Sequence, residues 1–278
     1  MSKRIDSHQH FWKFDPVRDS WIDESMSKIQ RDFLPEDLLP LLTENKFSGC
    51  VAVQASQSEE ETNFLVDLAS KNDFIKGIVG WVDLRADNIS ERLRHFSSNK
   101  TIKGFRHVVQ GEDDDFMFRE DFRKGISALK AFHFTYDILI FHRQLPAAIS
   151  LVKDFPNQKF VIDHIAKPDI KSGNMDSWKN GIEEIAKYEN VSCKISGMVT
   201  EADWKNWKPS DLKPYLDVIF ENFSADKLMY GSDWPVLNVA SDYTEVVKTL
   251  ENYISKFSTE DQNKIWYENA IAFYKLDQ

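Results

Sequence analysis

Eight short apolar runs recur along the chain, at 4–11, 49–55, 75–84, 102–109, 134–141, 159–165, 191–196 and 228–231. Several are continuous rather than alternating, as expected for strands covered on both faces. The stretches between them carry helical spacing. Residues 35–42 open with Pro35 in a first-turn position and Glu36 and Asp37 behind it. Residues 59–71 set Phe64, Leu65, Leu68 and Ala69 on one stripe, and 242–254 does the same with Val246, Val247, Leu250 and Ile254. Residues 145–153 and 178–188 behave likewise, and Ser258-Thr259-Glu260-Asp261 starts a terminal helix. Strand and helix alternating eight times predicts an α/β fold, a (β/α)8 TIM barrel, as a single domain over residues 1–278.

Two long connections break this rhythm. Residues 12–33 carry Trp12, Phe14, Trp21 and Phe33, and residues 197–213 carry Met198, Trp204 and Trp207. Long loops in compact domains are often lids, so both are expected over the mouth of the barrel. The plainer reading is that these aromatics fill small cores within the loops themselves.

Composition narrows the class. A formal net charge of -10 argues against a nucleic-acid groove, which needs clustered Lys and Arg. The two cysteines, Cys50 and Cys193, fall inside strand-like runs and read as buried thiols, not a disulfide framework. The first residues lack the apolar segment of a signal peptide, and no run approaches the ~18 apolar residues of a membrane helix. The expectation is a cytoplasmic protein with no membrane or nucleic-acid partner. The sequence carries no signal for oligomeric state.

The candidate chemistry lies at the strand ends. Of seven histidines, His8, His10, His107, His142 and His164 fall at or just past the C-terminal ends of strand candidates. In such barrels that rim builds the active site. On a strand, residues two apart face one side, so Asp6, His8 and His10 are expected to share a face. Asp233 then arrives from the last strand, in Tyr230-Gly231-Ser232-Asp233-Trp234-Pro235. Each motif alone has a structural reading: a turn at 231–235, a capped strand end at Asp163-His164, an exposed edge at Arg106-His107, a helix cap at His142. The barrel brings them all to one rim.

Asp6-Ser7-His8-Gln9-His10-Phe11-Trp12, Gly104-Phe105-Arg106-His107, Asp163-His164-Ile165-Ala166-Lys167-Pro168, Lys194-Ile195-Ser196-Gly197 and the 230–235 motif occur in this order. The set resembles the amidohydrolase superfamily. More narrowly, it resembles the branch holding the sugar-acid lactonases and the 2-pyrone-4,6-dicarboxylate lactonases. The resemblance implies a distorted barrel that hydrolyses a small lactone, with His8, His10, His164 and Asp233 facing the substrate. Arg106 and His107 match the family's pair after the fourth strand, and His142 stands where other superfamily members place a metal ligand.

One departure bears on metals. Many superfamily members hold two metals bridged by a carboxylated lysine that ends the fourth strand, where this chain has Arg106-His107. Two alternatives follow: one Zn²⁺ held by His8, His10, His164 and Asp233, or catalysis with no metal.

Lactone opening is acyl transfer to water. Asp233 is the expected general base. His8, His10 and His164 are the expected oxyanion donors, directly or through a metal. Arg106, His107, His142, Gln54 and Trp81 are the expected substrate-binding residues, with the Trp81 face packing on a sugar. The expected substrate is a neutral lactone of the L-fucono or L-rhamnono type. Alternatives are a pyrone-dicarboxylate lactone, an amide hydrolase or metal-dependent decarboxylase on the same scaffold, and an inactive barrel that only binds a sugar acid.

Overall fold

The computed structural model describes residues 3–277. Eight parallel strands form one sheet in sequence order: β1 (Ile5–Gln9), β2 (Gly49–Val53), β3 (Ile75–Gly80), β4 (Ile102–His107), β5 (Thr135–Ile138), β6 (Phe160–Ile162), β7 (Val191–Ile195) and β8 (Leu228–Tyr230). Each lies within one of the eight apolar runs of the sequence. The ring closes at the strand tips. Gln9 bridges Trp234, the His10 amide donates to the Trp234 carbonyl at 2.7 Å, and the Asp233 amide donates to the His8 carbonyl at 2.8 Å. The register shifts between β1 and β2, β2 and β3, and β3 and β4, so the barrel is irregular on that side.

Eight helices follow the strands in turn: α1 (Pro35–Glu44), α2 (Glu59–Ala69), α3 (Ile89–Ser97), α4 (Glu120–Leu129), α5 (Leu145–Asp154), α6 (Asp176–Ile185), α7 (Pro209–Asn222) and α8 (Tyr243–Ile254). Their starts follow capping chemistry. Ser58 accepts from the Glu61 amide at the head of α2, and Asp242 accepts from the Glu245 amide at the head of α8. Each helix lays apolar residues on the sheet, among them Leu38, Leu65, Leu93, Ile126, Leu151, Ile182, Ile219 and Leu250, all buried. Continuous apolar strands are the counterpart of this cover.

A terminal pair, α9 (Thr259–Asn263) and α10 (Asn269–Tyr274), is joined by a π-helical turn at Lys264–Glu268. Tyr274 packs with Val51, Val79, Val161 and Met229, and its hydroxyl donates to Asp137 of β5 at 2.7 Å. Cys50 and Cys193 are both free and buried. Among the described residues, no helix is long and apolar enough to cross a membrane.

Candidate active site

At the C-terminal rim, β1, β6 and the segment after β8 bring His8, His10, His164 and Asp233 together. Asp233 Oδ1 lies 3.4 Å from His10 Nε2, 3.8 Å from His164 Nε2 and 3.9 Å from His8 Nε2. His8 and His10 Nε2 are 3.2 Å apart. His10 Nδ1 donates to the Val53 carbonyl at 2.7 Å, which leaves its Nε2 as a lone pair turned to Asp233. All four side chains are buried.

Backbone conformation sets these positions. His164, Ile165, Ala166 and Lys167 are consecutive residues at positive φ, and Asp233 is another at φ 61°. Each such non-glycine residue costs about 1–2 kcal/mol, and strain of this kind gathers at functional sites. The left-handed run is held by the Trp178 indole N–H, which donates to the Ile165 carbonyl at 2.7 Å, and by the Lys167 amide, which donates to the His164 carbonyl at 2.8 Å. His164 Nδ1 pairs with Ser196 Oγ at 2.9 Å, leaving Nε2 toward Asp233. Gly197 takes φ 63° beneath this ring. A Cβ there would stand 2.6 Å from His164 Nδ1, so only glycine lets β7 pass.

A buried ionic network supports the cluster. Lys194 of β7 sits 2.5 Å from Asp137 and 3.0 Å from Asp163, and Arg106 of β4 sits 3.1 Å from Asp163. The Gln54 carbonyl receives Arg106, and the Gln54 side chain donates back to the Arg106 carbonyl at 3.3 Å. His8 Nδ1 lies 3.2 Å from Asp163 and 3.0 Å from Lys194, while Arg106 approaches His8 Nε2 at 3.3 Å. Burial drives the His8 and His164 imidazoles well below their ordinary pKa, so both are neutral at pH 7. Burial pushes the Asp233 carboxyl up, but His164, His10 and Lys167 outweigh it, and Asp233 stays ionised below its usual range. Burial likewise opposes ionisation of Asp163, and Lys194, His8 and Arg106 overcome it.

The donor set fits one divalent ion. The His10 Nε2 lone pair and the Asp233 Oδ1 converge with His8 Nε2 at separations of 3.2–3.9 Å. A tetrahedral centre with bonds of about 2.0–2.1 Å sets its ligands about 3.3 Å apart. His164 stands at the same carboxylate. A second ion at His8, Asp163 and His164 is opposed by the Lys194 ammonium, which lies 3.0 Å from both His8 Nδ1 and Asp163 Oδ1.

The cluster opens into a cavity of about 640 Å³ whose wall includes His10, Arg106, His164, Lys167 and Asp233. The 12–33 connection supplies Trp12, Arg18, Asp19 and Trp21 to that wall, whereas no residue of 197–213 lines it. Trp204 and Trp207 of the latter segment donate to the Thr200 and Ala240 carbonyls instead.

Several expected residues lie elsewhere. His107 neighbours Arg106 on β4 and so faces outward, stacked on Phe116 with ring centroids 4.8 Å apart and paired with Glu112 at 2.7 Å. His142 turns to the Lys167 carbonyl at 3.2 Å and does not line the cavity. Trp81 is also absent from the wall, and its amide donates to Thr62. Gln54 is hydrogen-bonded to Arg106 and does not line the cavity. Asp6 leaves the His8 and His10 face, because β1 is irregular between Asp6 and Gln9; its carboxylate receives the Ser232 amide and the Tyr243 hydroxyl, both at 2.9 Å. Asp137, Asp163 and Lys194 carry the supporting charge. Asp163 and Lys194 stand inside two of the quoted motifs without an expected role, and Asp137 is signalled only as an ionisable residue in an otherwise apolar strand.

An irregular (β/α)8 barrel with imidazoles and one carboxylate converging at its C-terminal rim defines a hydrolase scaffold of the amidohydrolase type. The chain belongs to the amidohydrolase family, whose model it matches over residues 5–276. It is 37% identical to an L-fucono-1,5-lactonase of Burkholderia multivorans, over 99% of this chain and 97% of that one. It is 34% identical to an L-fucono-1,5-lactonase of Burkholderia ambifaria, over 100% and 97%. A crystal structure of a Burkholderia multivorans amidohydrolase with bound Zn superposes with a TM-score of 0.95 at 37% identity, covering 99% of each chain.

Proposed function

We propose that this protein hydrolyses a neutral sugar-acid lactone of the L-fucono-1,5-lactone type, with L-rhamnonolactone the nearest variant. Its full-length likeness to two L-fucono-1,5-lactonases supports the reaction class. The charge balance of the cavity carries the choice of substrate. Each cation on its wall is already neutralised: Arg106 by Asp163 at 3.1 Å, Arg18 by Asp19 at 2.7 Å, Lys167 by Glu201 at 3.6 Å. Arg143 nearby is paired with Asp114 at 2.8 Å. A pyrone dicarboxylate would bring two more negative charges to a site that already contains ionised Asp233 and has no spare cation among its described residues. A neutral polyhydroxylated ring brings none.

In this reading Asp233 accepts a proton from water as the water oxygen bonds to the lactone carbonyl carbon. The His10 and His164 rings, fixed by the Val53 carbonyl and by Ser196, flank the carboxylate oxygen at 3.4 and 3.8 Å. Arg106, clamped by Asp163 and the Gln54 carbonyl, keeps an unpartnered Nε–H as a fixed donor for the carbonyl oxygen on which negative charge grows. The bond from carbonyl carbon to ring oxygen then breaks, and Asp233 returns its proton to the departing ring oxygen. A divalent ion held by His8, His10 and Asp233, with His164 beside it, would polarise the carbonyl and make water more acidic.

The test is a pH-indicator assay over aldono-1,4- and 1,5-lactones and pyrone dicarboxylate, with and without added Zn²⁺. The proposal expects the deoxy-sugar lactones to have the highest kcat/KM. Preferential turnover of the pyrone would overturn the substrate choice, and ligand-induced stabilisation with no turnover of any lactone would overturn the reaction.

A further inference from the structure

A chain of aromatic rings runs from beside Asp233 to the cavity mouth. Trp234 meets Phe33 edge-on with centroids 5.3 Å apart, Phe33 meets Trp12 at 5.5 Å, and Trp12 meets Trp21 at 6.0 Å, with interplanar angles of 89°, 74° and 83°. The first three rings are fully buried, but Trp21 remains 46% exposed and lines the cavity.

This exposure is held in place. Trp12 and Phe33 exchange backbone hydrogen bonds at 3.0 and 2.9 Å, closing the 12–33 connection at its base. The Trp12 indole N–H donates to the Arg31 carbonyl at 2.9 Å. On either side of Trp21, Arg18 grips Asp19, the Ile22 amide donates to the Asp19 carbonyl at 2.8 Å, and Gln30 donates to the Ile22 carbonyl at 3.0 Å. An indole that served only to fill the loop would be covered like its three partners. Trp21 instead keeps a large apolar surface on the wall of a polar site, and only a ligand with its own apolar surface gains from that.

We propose that Trp21 is a substrate platform: its uncovered surface packs on the C–H face of the sugar lactone and makes it a specificity-determining residue. The inference rests on the lactonase reading and sharpens it. Trp21 takes the place that the sequence suggested for Trp81. It stands at the mouth, at the far end of the ring chain from Asp233, so its contact contributes to binding and leaves the reacting ester to the floor of the cavity.

The experiment compares wild type, Trp21→Ala and Trp21→Phe. Three readouts apply: steady-state hydrolysis of L-fucono-1,5-lactone, equilibrium binding of L-fuconate by calorimetry, and thermal melting. The expected result for Trp21→Ala is a KM and an L-fuconate Kd raised roughly fivefold to tenfold, with kcat within about twofold of wild type and an unchanged Tm. Trp21→Phe restores most of the binding. Wild-type KM and Kd in Trp21→Ala, while wild type turns over the lactone, would overturn the platform alone. A lowered Tm with kcat and binding falling together, unrescued by Phe, would make Trp21 structural and also overturn it. A wild type that neither hydrolyses the lactone nor binds the acid would remove the lactonase reading, and the platform with it.

Discussion

Asp233 Oδ1 stands 3.4 Å from His10 Nε2, so the last strand's carboxylate meets the first strand's imidazole across the seam of the barrel. The same seam is sealed by the His10 amide on the Trp234 carbonyl and the Asp233 amide on the His8 carbonyl. Closing the fold and assembling the site are therefore one event: β1 and the segment after β8 cannot separate without dispersing the cluster.

The three acceptors at this seam lead to a stoichiometry. Protein stripped with chelator and dialysed against Zn²⁺ is expected to hold one equivalent, measured by atomic absorption, and His10→Ala is expected to lose it. Two tightly held equivalents would contradict the position of Lys194, whose ammonium lies 3.0 Å from both His8 Nδ1 and Asp163 Oδ1.

Gly197 gives a steric test of His164. In Gly197→Ala the new methyl meets His164 Nδ1 at 2.6 Å, and φ 63° is strained for alanine. The expected outcome is a stability loss of roughly 1–2 kcal/mol by urea titration and a fall in kcat as the ring leaves Ser196. Gly173→Ala, at φ 74° with nothing within 4 Å of the added Cβ and outside the cavity wall, is the matched control, expected to carry the same backbone strain with wild-type kcat.

Arg106 holds a buried charge balance. Arg106→Met leaves Asp163 with Lys194 and without its second cation. Breaking a buried pair from one side costs about 3–5 kcal/mol. Urea unfolding should show a loss of that order, and an unchanged midpoint would mean that Arg106 is not paired in solution.

Glu61 predicts a pH dependence of stability. Burial raises its carboxyl from 4.5 to about 7, although the Ala55 and Ser56 amides and Arg18 oppose the shift. A raised carboxyl pKa favours the neutral folded form. Its contribution is therefore complete below pH 4.5 and is lost as pH rises through about 7. The difference in stability between wild type and Glu61→Gln should shift against wild type across that window and level off above it. A difference that stays flat from pH 4.5 to 8 would contradict the assignment.

The barrel was legible because covered parallel strands read as unbroken apolar runs, and all eight fell where those runs lie. His8, His10, His164 and Asp233 were legible because each ends a strand at the rim. His107 misled because Arg106 beside it takes the inward position, and β alternation then sends His107 out toward Phe116 and Phe122. Asp6 obeyed alternation on paper, but the irregular pairing of β1 turned it to Tyr243. Asp163 and Lys194 were visible inside two motifs, but their pairing with Asp137 joins distant segments and leaves no local pattern. Trp21 looked like any aromatic in a long loop until its exposure and its place on the cavity wall were known.

The most direct test is the turnover of L-fucono-1,5-lactone by Asp233→Asn beside wild type, followed by pH indicator, with thermal melting as the check on fold. The account predicts a fall in kcat of about 10²–10⁴-fold with the melting temperature preserved. Wild-type turnover by a folded Asp233→Asn protein would contradict it.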